Sequence, residues 1–118
     1  MARRAPDVDG TIDAYLDHLT TERGLARRSI ESYGRDLAAF ATTLVTRKVR
    51  RPEAIEAEHV RAHLAVLSRR GLTPRSQARA LAAIRGYLRY LVRERRHDGE
   101  EVRTVRVRRP PSRLPGCA

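Results

Sequence analysis

Arg23-Gly24-Leu25-Ala26-Arg27-Arg28-Ser29 returns 47 positions later as Arg70-Gly71-Leu72-Thr73-Pro74-Arg75-Ser76. Glycine tolerates the left-handed backbone just past a helix end, so Gly24 and Gly71 read as helix stops. Leu25 and Leu72 are placed to fold back onto the turn that has just ended. Thr73-Pro74 is a start signal, with Thr as N-cap and Pro at the first helical position, where an N–H would have no intrahelical partner anyway. Ala26 occupies the same place in the first copy and makes a poorer cap. Each copy therefore closes one helix and opens another, and the opening residues are Arg and Ser.

The flanking segments fill out four helices. Ile12, Tyr15, Leu16 and Leu19 follow helical spacing from Thr11 to a stop near Gly24. Ile30, Tyr33, Leu37, Phe40 and Leu44 form an apolar stripe on a second helix, about 27–46. Arg47 to Pro52 is a basic break, and Pro52 keeps the second helix from running on. Val60, Leu64 and Leu67 predict a third helix over roughly 57–70, and Leu81, Ile84, Leu88, Leu91 and Val92 a fourth from Pro74 to about Arg96. No stretch before residue 102 alternates with period two, so the expected fold is all-α: two helical hairpins, each a shorter helix feeding a longer one. The segments downstream of the two copies do not align residue for residue, which makes this an architectural echo and not a sequence repeat.

The expected organisation is a flexible N-terminus at 1–9, a helical domain at 10–98 and a basic, Pro-rich, disordered tail at 99–118. In that tail Val102 to Arg108 alternates, but a lone strand has nothing to pair with, and Pro110, Pro111 and Pro115 oppose helix.

With 118 residues the chain is one domain. Aromatics make up 4% and Trp is absent, so the core must come from Leu, Ile, Val and Ala. The charge is the loudest global feature: 25 basic against 14 acidic residues, net +11. A GC-rich coding sequence explains why every basic residue except Lys48 is Arg; it does not explain the surplus. A surplus of this size favours a polyanionic partner, with nucleic acid ahead of a membrane surface. No apolar run approaches the ~18 residues of a membrane span, and the first ten residues lack a signal-peptide apolar region. With Cys117 as the single cysteine, a cytoplasmic protein is the plain expectation.

The charges have direction. At about 100° per residue, Arg75, Arg79, Arg85, Arg89, Arg93 and Arg96 fall on one arc of roughly 120° beside the apolar stripe of the fourth helix. Glu94 is the one acid between Pro74 and Arg96. Arginines often merely snorkel on a solvated face, but such faces normally mix signs, because like charges at i, i+4 repel by a few tenths of a kcal/mol. Arg75/Arg79, Arg85/Arg89 and Arg89/Arg93 are all such pairs, which points to an absent anion.

The second helix offers a matching surface. Arg28, Ser32 and Arg35 lie at i, i+4, i+7, away from the Leu37/Phe40 stripe, while Arg27 and Ser29 sit in a first turn whose N–H groups favour phosphate. Candidate DNA-contacting residues here are Arg27, Arg28, Ser29, Ser32 and Arg35. On the fourth helix and its cap they are Thr73, Arg75, Ser76, Arg79, Arg85 and Arg89, the small hydroxyls permitting close approach to a groove. Asp36 breaks the pattern and is expected to pair with a nearby Arg.

Catalytic patterns are missing. His59 and His63 have the i, i+4 spacing of a zinc pair, but no third ligand or Glu base accompanies them, and they are expected at the surface or a groove edge. No glycine-rich phosphate cradle occurs. No metal and no cofactor is expected. All four tyrosines read first as packing residues.

Tyr15-Leu16, Gly24-Leu25-Ala26, Ser29-Ile30-Glu31-Ser32-Tyr33-Gly34-Arg35-Asp36-Leu37 and Arg79-Ala80-Leu81-Ala82-Ala83-Ile84-Arg85-Gly86-Tyr87-Leu88 carry a resemblance. Over about residues 10–97 the chain resembles the N-terminal core-binding, SAM-like domain of the tyrosine recombinase, or phage integrase, family of Xer type. The resemblance implies a four-helix module forming half of a clamp on double-stranded DNA. It also implies second and fourth helices that approach the major groove and a first helix that contacts a neighbouring recombinase protomer.

Two departures stand out. Gly34 occupies a position where the family commonly has a larger, often basic residue, and a mid-helix Gly costs about 1 kcal/mol relative to Ala. The family's catalytic set of Arg, Lys, His-x-x-Arg and nucleophilic Tyr is not found; no His-x-x-Arg occurs in the sequence. The expectation is therefore a DNA-binding, non-enzymatic piece of a Xer-like recombinase, a truncated or frame-shifted product. Competing expectations are a helical interaction module that docks on an intact recombinase and a standalone helix-turn-helix regulator. The regulator would need a dimer seam that the sequence does not display.

Overall fold

A computed structural model describes residues 7–97; residues 1–6 of the expected flexible N-terminus and the whole expected tail at 99–118 lie outside the described residues. Helices α1 (Val8–Thr21), α2 (Arg27–Thr46), α3 (Ala57–Arg69) and α4 (Pro74–Arg93) form a bundle of two hairpins, with a single 3₁₀ turn at Pro52–Ala54 between them. The all-α expectation holds. No helix among these residues is long and apolar enough to cross a membrane.

The twin phrase does what its residues dictate. Gly24 and Gly71 take φ of +59° and +86°. Past α3, the Gly71 N–H donates to the Ser68 carbonyl (3.0 Å) and the Leu72 N–H to that of Leu67 (3.1 Å), a Schellman stop. Leu25 and Leu72 both pack against the core. Thr73 accepts the Ser76 N–H in front of Pro74, whereas Ala26 leaves α2 without a side-chain cap.

Two helix ends differ from the sequence expectation. Helix α1 begins at Val8 instead of Thr11, because Asp7 Oδ1 caps it by accepting the Gly10 N–H at 3.0 Å. Val8 is buried, and its N–H donates to the Arg50 carbonyl, tying the helix start to the α2–α3 connection. Helix α4 ends at Arg93, short of Arg96, in another Schellman stop with Arg95 at φ +58°. Arg96 therefore leaves the arginine arc and closes on Glu53, Nε to Oε2 at 2.6 Å. His97 Nε2 donates to the Ile55 carbonyl alongside it. Val92, expected inward, sits at the rim, 38% exposed.

Helix α2 packs against all three other helices. Its Leu37, Phe40 and Leu44 are fully buried among Val60, Ile84, Tyr87 and Leu91. Each such aliphatic or aromatic side chain contributes roughly 1.5–3 kcal/mol by leaving water, so Leu37→Ala would cost about 2–5 kcal/mol.

Two polar bridges cross this core. Thr11 Oγ1 donates to the Val8 carbonyl, so in its 2.7 Å contact with Tyr87 the tyrosine O–H is the donor. Thr43 Oγ1 meets His63 Nδ1 at 2.7 Å. His63 is thus no groove-edge residue. It is 1% exposed, tilted against Phe40 with ring centroids 5.4 Å apart, and burial pushes its pKa down to about 4.

Candidate nucleic-acid interface

Basic residues cover the outer faces of the two long helices. On α2, Arg27, Arg28, Ser29 and Arg35 are exposed and Ser32 is half-buried. The first turn of α2 has neither a capping side chain nor an acid, so its N–H groups remain available to an anion. Glu31 is also exposed on this side and dilutes the positive face.

On α4, Arg75, Arg79, Arg89 and Arg93 are exposed, and so are the small residues Ala78 and Ala82 among them. The first turn of this helix likewise holds no acid. Arg85 is half-buried, with its Nε shielded from solvent, so it packs partly against the body and does not project freely. Thr73 and Ser76 engage each other: Thr73 Oγ1 accepts the Ser76 N–H at 3.1 Å and donates to Ser76 Oγ at 3.2 Å. Their common role is the cap.

The expected partner of Asp36 is Arg79. Its Nε and Nη2 reach Asp36 Oδ2 and Oδ1, both at 3.1 Å, and this two-pronged bond raises the guanidinium pKa. Asp36 is 9% exposed by side chain and Arg79 52%, so the pair is a brace between α2 and α4 at the edge of the basic surface. Sequence spacing predicts that Asp36 finds an Arg, but the two residues are 43 positions apart and nothing local identifies which one.

Gly86 and Tyr15 form a feature that spacing does not reveal. A Cβ at Gly86 would collide with the Tyr15 hydroxyl, so the glycine is the seat on which the α1 phenol crosses α4. Tyr15 packs at tilted angles against Tyr87 and Tyr90, with centroids at 6.1 and 5.5 Å. Burial raises its pKa, opposed by Arg89 and Arg23.

No metal pair assembles from His59 and His63. His59 Nδ1 accepts the Glu56 N–H at 2.8 Å in a reciprocal cap of α3, while His63 points into the core toward Thr43. Glu56, Glu58 and His59 bring atoms within 4.8 Å of one another at this helix start, where Glu56 and His59 form the cap and Glu58 is an exposed first-turn acid.

The family described as "Phage integrase, N-terminal SAM-like domain" matches residues 12–95. The chain belongs to this family. Tyrosine recombinase XerD of Brucella abortus is 41% identical over 83 residues, covering 70% of this chain and 26% of the relative. XerC of Azotobacter vinelandii is 39% identical over 89 residues, 74% of this chain and 30% of the relative. XerD of Mycobacterium tuberculosis is 37% identical over 112 residues, 88% and 36%. The chain thus spans about a quarter to a third of the length of these recombinases. In fold it is similar to the crystal structure of the N-terminal domain of a phage integrase/site-specific recombinase from Haloarcula marismortui. The TM-score is 0.76 at 22% identity, over 90% of this chain and 100% of that one.

Proposed function

We propose that this SAM-like domain holds duplex DNA between the outer faces of α2 and α4, as the DNA-clamping part of a Xer-type site-specific tyrosine recombinase, contributing binding and no chemistry of its own. The observation that carries the reading is the arc of α4. Arg75, Arg89 and Arg93 stand exposed there with no carboxylate in an ion pair with them among the described residues. Arg89 and Arg93 stand at i, i+4, a spacing at which like charges destabilise a helix unless an anion lies between them. Arg27, Arg28, Ser29, Ser32 and Arg35 supply the second wall, with Arg79 as brace and Thr73 and Ser76 as the cap that starts α4.

Titration of a fluorescent duplex across salt concentration tests it. With about six arginines on phosphates, log affinity falls with log salt at a slope near −5. A slope near zero overturns the reading.

A second reading concerns α1. Asp9, Asp13 and Asp17 are exposed on one face at successive i, i+4 positions and enter no ion pair among the described residues. An acidic stripe repels DNA and suits a basic protein surface, such as a neighbouring recombinase protomer. Sedimentation of the chain with a full-length recombinase, before and after replacing the three Asp by Asn, tests this contact.

A further inference from the structure

Among the described residues, Tyr87 has its hydroxyl on Thr11, while no residue takes a hydrogen bond from the Tyr15 hydroxyl. Tyr15 as a residue is 7% exposed, yet its oxygen is not one of the solvent-shielded polar atoms that go unbonded. The ring is therefore largely buried, while the oxygen is not fully shut off from solvent. Where it emerges is set by Gly86, which lies three residues before Arg89 and seven after Arg79, within the arginine arc. A Cβ at Gly86 would stand 3.3 Å from Tyr15 Cζ and 3.9 Å from Arg89 Nη2, so phenol head and guanidinium share one side of the glycine. Arg23 from the first copy of the phrase acts on the same phenol.

We infer that Tyr15 is a further DNA-contacting residue, its hydroxyl donating to a phosphate oxygen that Arg89 holds on the face of α4. The inference rests on the proposed duplex-binding reading and extends it to a helix that contributes no other residue to that surface. The chemistry favours a phosphodiester over a base edge. A neutral O–H beside a guanidinium needs an acceptor that the guanidinium also attracts, and an anionic oxygen satisfies both. Phenol rigidity adds to this, because a buried ring packed against Tyr87 and Tyr90 presents its oxygen with little entropy left to lose.

The test is Tyr15→Phe in the full chain, titrated with duplex DNA across salt. Its urea midpoint stays at the wild-type value, since the hydroxyl bonds no described residue. Affinity falls about three- to ten-fold, the range of one hydrogen bond. The salt slope does not change, because a neutral group releases no counterion. Gly86→Ala provides the independent check: the new methyl displaces the hydroxyl, lowers affinity similarly, and lowers it no further when added to Tyr15→Phe. Unchanged affinity for both variants, beside a salt-dependent wild type, overturns the Tyr15 inference and leaves the duplex-binding reading standing. A wild-type chain without salt-dependent binding overturns both.

Discussion

Arg79 of α4 and Asp36 of α2 are joined by two hydrogen bonds of 3.1 Å, which brace the two helices that carry the basic surface. The carboxylate is almost buried and the guanidinium half exposed, so the bond is stronger than an open surface pair and weaker than one sealed in a core.

Asp36→Asn is expected to lower stability by about 1–2 kcal/mol, the range for a charge-assisted pair at a partly buried site. The same change releases the Arg79 charge to the DNA surface. Duplex affinity at low salt should therefore rise, with a salt slope steeper by about 0.9. Chemical denaturation and salt-dependent anisotropy on one variant check both halves. A less stable protein that binds more tightly is the signature.

Two mid-helix glycines separate a local cost from a packing need. A Cβ at Gly34 meets only Leu16 Cδ1, at an ordinary 3.6 Å. Gly34→Ala should stabilise the domain by about 0.5–1 kcal/mol, through helix propensity and a less flexible unfolded chain. Gly86→Ala removes the same backbone freedom but meets the Tyr15 hydroxyl, so that gain should be lost. Urea midpoints of the two variants, measured side by side, decide it.

His63 makes stability depend on pH. Its pKa falls from 6.5 unfolded to about 4 folded because burial disfavours the charged ring. The unfolded chain therefore binds more protons between these values, and stability is lost as pH drops from about 6.5 toward 4. The loss approaches 1.4 kcal/mol per pH unit and about 3 kcal/mol in all. Replacing His63 by Leu should flatten the stability profile in this window. Glu53, held low by its bond to Arg96, begins to lose its contribution only as pH falls below about 4.5, so it overlaps this window at the acid end alone.

Helices α2 and α4 both end on a left-handed residue that is not glycine, Lys48 at φ 61° and Arg95 at φ 58°. Arg95→Gly should stabilise by about 1 kcal/mol, the cost of a Cβ in this region. The Arg96–Glu53 pair and the His97–Ile55 bond would still anchor the exit of α4. Thermal unfolding of this variant and of Lys48→Gly provides the check.

Much of this fold is legible in the chain because its signals are local. Gly71, Leu72, Thr73 and Pro74 specify a stop and a start within four residues, and the Leu37–Phe40–Leu44 stripe specifies which way α2 faces. The ends of α1 and α4 depart from the apolar spacing because one cap comes from an unremarkable Asp7 and one left-handed turn from an arginine. The basic face of α4 emerges from helical angle alone. Tertiary pairing does not: Asp36 with Arg79, His63 with Thr43 and Tyr15 over Gly86 each join different helices, and no periodicity specifies such partners. His63 escapes the sequence reading for that reason, since an i, i+4 histidine pair looks the same whether it faces solvent or core.

The duplex-binding claim is tested most directly by following backbone amide resonances of the chain as a short duplex is added. Shifts concentrated in residues 27–35 and 75–89, with smaller ones around Tyr15 and none at Asp9, are the predicted result. Shifts confined to the acidic face of α1, or none at duplex concentrations that saturate a salt-dependent binder, would contradict it.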